Sequence, residues 1–284
     1  MAKSTREIKR RIRSIYGTMK ITSAMELVAS AKLVKARERI IKARPYYSTI
    51  HRNFQETYLS INKINHPLLN KREVHSSLYI IISDDRGLAG GYNNNIARLV
   101  EDEIRKTGNR ANLILIGSKA IDYFQKGKHK IEEKFTGITE EPDFKDSESI
   151  AAKALDLYEN NWVDEIKVAY TMFINNMHQE PKIIRLLPLE PQEEYPMNEK
   201  QHIEFEPSPE VVLDYLIPKY VASSIYGALV EASCSEQAAR TNAMGIATEN
   251  AKEMIEELKI TYNRARQTAI TTEITEIVSG SMGS

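Results

Sequence analysis

Cysteine is nearly absent: Cys234 is the only one in 284 residues. That excludes an intrachain disulfide and a cysteine-based zinc site, and it fits a reducing compartment. Proline is missing from both ends, with none before Pro45 and none after Pro218, so either end is free to run as a long helix. No apolar run approaches the ~20 residues needed to cross a bilayer, and the N-terminus lacks the apolar stretch of a secretory signal. A soluble or peripheral protein is expected. An Arg-rich start could suit a mitochondrial presequence, but the heptad pattern begins at once and leaves no spare segment to cleave.

Charge of one sign is not in excess either. The 39 Lys and Arg balance 39 Asp and Glu, which gives no reason to favour nucleic acid or an acidic membrane surface as partner. His51, His66, His75, His129, His178 and His202 are scattered, with no H-x-x-x-H or H-E-x-x-H pair, so no metal face is expected. No G-x-S-x-G or similar nucleophile setting occurs. The residues offer no support for a catalytic site or a cofactor.

What is present is long-range helical order. Ile8, Ile12, Ile15, Met19, Thr22, Glu26, Ala29, Leu33, Ala36 and Ile40 alternate steps of four and three, a coiled-coil seam with a polar gap at Thr22 and Glu26. Val221, Ile225, Ala228, Ala232, Ser235 and Ala239 repeat the spacing. After a slip of phase, Ala251, Ile255, Leu258, Tyr262, Ala265, Ala269 and Thr272 resume it. Helices of about 75 Å and roughly 100 Å would result at ~1.5 Å per residue, the second bent by Pro218. Stripes that long cannot be buried in an ordinary domain, so an antiparallel pairing of the two ends is expected, with a bundle of separate helices as the alternative.

Between the ends, residues 76–83, 111–117, 165–175 and 181–190 are apolar, β-branched runs separated by helical stretches at 93–107, 118–126 and 147–161. This alternation predicts a mostly parallel sheet covered by helices. The fold class is therefore α/β plus coiled coil: a long antiparallel pair of terminal helices flanking a central Rossmann-like domain. The expected segments are an N-terminal helix at 1–58, a linker at 59–75, an α/β domain with an acidic, proline-rich connection at 76–207, and a C-terminal helix at 208–284.

Two features invite a ligand. "SDDRGLAGGYNNN" (83–95) follows a strand, contains Gly87, Gly90 and Gly91, and opens a helix that Asn93 could cap, as phosphate-binding turns do. It matches neither nucleotide fingerprint, and Asp84 with Asp85 would repel an anion unless Arg86 or a metal offset them. A structural turn or partner contact is the default. Residues 1–44 carry thirteen Lys and Arg against three Glu, which raises nucleic acid as a partner but suits equally an acidic protein surface or plain solvation of a coiled coil's outer face.

Three stretches, "IKRRIRSIYGTMKITSAMELVASAKL", "SDDRGLAGGYN" and "SEQAARTNAMGIATENAKEMIEELKITYNRARQTAITTEITEIVSG", resemble in this order the gamma subunit of F-type ATP synthases, over essentially the whole chain. The resemblance implies a central rotor shaft with no catalytic site of its own. It would turn inside a ring of alpha and beta subunits, with its α/β domain beside epsilon and the membrane ring of c subunits, and would couple proton-driven rotation to the beta-subunit sites. It further implies contacts with beta at Met25, Arg266, Gln267, Thr271 and Glu273, and at Arg11 and Arg13 near the shaft neck. No nucleic acid is implied, and the membrane is met only through partners, at the cytoplasmic face of a bacterial cell. Asp84 stands where the family commonly has Ser. The paired cysteines of the chloroplast redox switch are absent. "SGSMGS" ends the chain where relatives are richer in Ala, and is expected to fray.

Overall fold

The computed structural model describes residues 5–60, 68–69, 72–189, 206 and 208–282. Most of the expected linker at 59–75, most of the acidic connection, His66 and His202 lie outside the described residues. The elements run α1 (Thr5–Ser60), β1 (Ser76–Ile82), α2 (Tyr92–Thr107), β2 (Arg110–Ile116), α3 (Ser118–Phe124), β3 (Lys130–Phe135), α4 (Phe144–Glu159), β4 (Glu165–Phe173), β5 (Gln179–Leu187) and α5 (Pro209–Met282). The terminal helices contain 56 and 74 residues, and the assignment stays helical through Pro45 and Pro218. α5 is assigned as far as Met282, so helix extends into the segment expected to fray. The chain divides into two compact units, residues 31–240 and residues 1–30 with 241–284.

In the larger unit the strands stand in the order β3-β2-β1-β4-β5. β1 pairs in parallel with β2 and β4, β2 in parallel with β3, and β4 antiparallel with β5. Alternate side chains of the central strands enter two cores. Leu78, Ile80, Ile82, Ile114 and Ile116 join α4, the lower part of α1 at Phe54, and α5 from Leu213 to Ala232. Tyr79, Ile81, Leu113 and Leu115 instead meet Ile96, Ala97 and Val100 of α2 and Ala120 and Phe124 of α3. Burial on both faces is what makes β1 and β2 read as unbroken apolar runs.

β3 escaped the sequence reading because "KIEEKF" has no apolar run; it is an edge strand, and charge at an edge discourages pairing with foreign strands. α4 begins three residues before the predicted 147. Asp143 accepts the Lys145 N–H and forms a capping box with Asp146.

Within each unit the two long helices run antiparallel. In the larger unit His51 Nε2 lies 2.8 Å from Ser224 Oγ, and a Cβ added at Gly227 would meet the Tyr47 ring at 3.4 Å. In the smaller unit the polar gap in the seam is filled by its own kind. Thr248 Oγ1 donates to Thr22 Oγ1 at 2.9 Å, both buried, and a Cβ at Gly245 would stand 3.3 Å from the Glu26 carboxylate. Rising numbers on α1 meet falling numbers on α5, which places Thr5 opposite about residue 265. Among the residues of α5 whose burial is described, Ala265 is indeed the last that is half-covered. Ala269 and Thr272, expected to continue the seam, are exposed, because the described part of α1 has no residue left to cover them.

Candidate functional site

The glycine turn after β1 already spends two of its donors within itself: the Asp84 carboxylate accepts the N–H groups of Arg86 (2.8 Å) and Gly87 (2.6 Å). Asn93 does not cap α2 as expected. The N-cap is Gly91, and the Asn93 side chain instead accepts the Asp84 N–H at 3.0 Å, bracing the turn from the first turn of the helix. Asp85 turns the other way and accepts the N–H groups of Ser118 and Gly137 and the hydroxyls of Ser118 and Thr139, at 2.9–3.0 Å. Burial alone would raise this carboxyl; the four hydrogen bonds outweigh it and hold the group below its ordinary range. The two aspartates therefore do not face one anion site together. Each organises a different loop.

Asp84 is offset not by Arg86, which pairs with Glu140, but by a residue 156 positions away. Arg240 of α5 donates through Nη2 to Asp84 Oδ2 (2.5 Å) and through Nη1 to Glu236 Oε1 (2.6 Å). Its Nε and Nη2 also reach the Gly87 carbonyl at 3.3 and 3.2 Å. All three charged side chains are more than nine-tenths covered. With two carboxylates sharing one guanidinium in a dry place, burial and the nearby Asp84 push Glu236 up to about 7, against the pull of Arg240. Close by, the buried Tyr92 hydroxyl donates to the Ala232 carbonyl of α5 at 3.1 Å.

A second knot lies at Glu140, in the loop after β3. Its carboxylate pairs with Lys32 of α1 and with Arg86 of the glycine turn (2.9 Å). Its carbonyl accepts the Ser233 hydroxyl of α5 (3.0 Å) and Nη1 of Arg39 of α1 (3.3 Å). The Lys32 hydrogen bond, opposed by burial, lowers the Glu140 carboxyl from its ordinary value. No sequence signal pointed to Glu140, which sits among ordinary acidic loop residues.

The residues carried over from the family resemblance are of another kind. Arg11 and Arg13 are exposed on α1, and Met25 is half-buried there. Arg266, Gln267, Thr271 and Glu273 are exposed on α5. They form no enclosed pocket and make no charged network among themselves. The same end of α5 also exposes Ile270, Ile274, Ile277 and Val278 along one face. Its threonines are inward-looking: Thr261, Thr268, Thr271, Thr272 and Thr275 each donate to the carbonyl four residues back, at 2.8–3.1 Å. A hydroxyl bonded to its own helix demands no partner.

Among the described residues no group of His, Cys, Asp or Glu could hold a metal ion, and no helix is long and apolar enough to cross a membrane. A family model described as ATP synthase matches residues 4–282. A gamma chain of Alkaliphilus metalliredigens is 45% identical, covering 99% of this chain and 98% of its own length. One from Heliobacterium modesticaldum is 46% identical, covering 97% of each. The "ATP synthase gamma chain, sodium ion specific" of Acetobacterium woodii is 41% identical over 99% and 98%.

Solved structures share the fold. A chain of the Tetrahymena thermophila mitochondrial ATP synthase central stalk and c-ring superposes with a TM-score of 0.63 at 24% identity, covering 80% of this chain and 99% of that one. A chain of the Euglena gracilis mitochondrial enzyme gives 0.67 at 17% identity, covering 98% and 94%. The molecule is thus a non-catalytic subunit of a rotary ATP synthase, forming its central shaft. The chain belongs to the ATP synthase gamma chain family.

Proposed function

We propose that this chain turns inside a ring of alpha and beta subunits and carries torque between that ring and the membrane-embedded c ring, with epsilon beside its α/β domain. In this reading residues 1–58 and 208–284 are the shaft, 76–207 the foot, and 59–75 the linker between them. The single observation that supports it best is the tip of α5, a lone helix face with self-satisfied hydroxyls and a few exposed isoleucines. A rotating part must not bind one orientation too well, because a surface that adheres strongly to one beta subunit traps a single state. Small residues and self-bonded threonines limit adhesion. A few placed side chains then supply the differential contacts that couple angle to nucleotide affinity.

Those side chains, in this proposal, are Met25, Arg266, Gln267, Thr271 and Glu273 toward loops of beta, with Arg11 and Arg13 at the neck facing acidic beta residues. Replacing Arg266 and Gln267 together by Ala should lower ATP synthesis in reconstituted vesicles by up to about tenfold, ~1.4 kcal/mol in barrier terms, with the α/β domain still folded. Normal assembly and synthesis would remove both from the contact set. The chain's place is the cytoplasmic face of a bacterial membrane, held there by its partners.

Protons are the coupling ion in this reading. The sodium-ion-specific relative motivates the second one. Synthesis by the reconstituted complex at fixed pH decides between them: indifference to added sodium supports protons, and strict dependence on it supports sodium.

A further inference from the structure

α5 is attached to the α/β domain in two ways. From Leu213 to Ala232 it packs with apolar side chains against one face of the sheet. Such packing resists separation, but helices packed by side-chain contact can shift against one another. Further along, Ser233, Glu236 and Arg240 stand on one face at steps of three and four, and there the attachment becomes directional.

The Arg240 fork is planar and presents its donors at fixed angles. It meets Asp84 Oδ2, Glu236 Oε1 and the Gly87 carbonyl together. Asp84 is itself fixed from the domain side. It stands two residues after the end of β1, its carboxylate holds the Arg86 and Gly87 N–H groups, and its own N–H is held by Asn93 of α2. Turning α5 about its own axis would break the Arg240–Asp84 pair, the Arg240–Gly87 bonds and the Ser233–Glu140 bond together, while the Arg240–Glu236 bond, internal to the helix, keeps the guanidinium aimed. Buried ion pairs are weak sources of net stability and are best attested where they fix a register.

We propose that Asp84 and Arg240 are a positioning pair that acts as a torque-bearing joint, locking the rotational setting of α5 on the α/β domain so that the two turn without slip. The inference rests on the rotor-shaft reading. Glu236 is the third member, and its carboxyl, lifted by burial, keeps the cluster from carrying two full negative charges around one cation. Glu140 braces the same turn through Arg86 and ties Lys32 and Arg39 of α1 to it.

The test uses the full chain assembled with alpha and beta subunits, with a bead attached through a cysteine replacing the exposed Lys126. The native Cys234 is buried. Asp84→Asn combined with Arg240→Gln removes both charges together, which avoids stranding one of them. The angular spread of the bead during pauses between ATP-driven steps reports how tightly the domain follows the helix. The pair predicts a spread about twofold broader or more in the double variant, with ATP hydrolysis within about twofold of the parent. An unchanged spread would overturn it. So would a double variant that fails to fold or assemble, because the pair would then be a stabilising element and not a positioning one. The parent complex, run alongside, separates the two readings: if it does not rotate, the shaft reading fails first.

Discussion

Two stretches of α5 share one backbone and follow opposite rules. Between Leu213 and Arg240 the helix faces a sheet, buries Val221, Ile225 and Leu229 completely, and satisfies Arg240 with Glu236 of the same helix and Asp84 of one loop. From Arg266 onward it exposes most of what it has and bonds its threonine hydroxyls back to itself. The first stretch is specified in every direction, as a seat must be. The second is specified only along its own axis, as befits a surface that meets several partners in turn. Helical periodicity is common to both, so what separates seat from bearing is where each side chain spends its hydrogen bonds.

The comparison can be broken most severely at Arg240. Arg240→Ala leaves two buried carboxylates without their cation, and unfolding of the full chain in urea, followed by circular dichroism, should show a loss of about 3–5 kcal/mol. A loss below ~1 kcal/mol would mean that water reaches the site freely. Next comes a matched pair on the same helix. Ile225→Ala in the seat should cost about 2–5 kcal/mol through the cavity it leaves. Ile274→Ala, at an exposed position, should stay within ~0.5 kcal/mol. Equal effects would erase the distinction.

A smaller effect is set by pH. Glu236 holds its proton more tightly in the folded chain than in the unfolded one, from an ordinary 4.5 to about 7. Its contribution to stability is therefore complete below pH 4.5 and is lost as the pH rises through about 7, with a slope of at most ~1.4 kcal/mol per unit. Asp84, Arg240 and Tyr92 face the group. Glu236→Gln should flatten this part of the stability profile, and a profile identical to the parent's would contradict the assignment. Smallest of all, Thr271→Ala at the tip should change stability by no more than about 0.5 kcal/mol, because the lost bond is local and solvent-exposed.

Much of this architecture could be read in advance, for identifiable reasons. The seams of α1 and α5 were legible because heptads repeat over many turns. β1, β2 and β4 were legible because burial makes them largely apolar runs, and the edge strand β5 because it keeps Ile183, Ile184, Leu186 and Leu187 close together. β3, the other edge strand, was not, since Ile131 and Phe135 are separated by Glu and Lys. The start of α4 was readable in principle from Asp143 and Asp146, a capping signal that apolar periodicity overlooks.

The clasp was illegible for a different reason. Asp84 and Arg240 lie 156 residues apart and meet only because parallel pairing and the return of α5 bring the C-terminal end of β1 beneath that helix. Seen singly, Asp84 was an obstacle to an anion and Arg240 a charged residue next to the seam position Ala239. The candidate contacts at Arg266 and Gln267 were the reverse case: their exposure agrees with a partner surface, but nothing in one chain tells which partner atoms they meet.

The account turns on rotation, and rotation can be watched. With alpha and beta subunits assembled around the full chain and immobilised, and a bead on the α/β domain, ATP should drive continuous turning in one direction that stops when ATP is withdrawn. A complex that hydrolyses ATP while the bead only jitters about a fixed angle would contradict it.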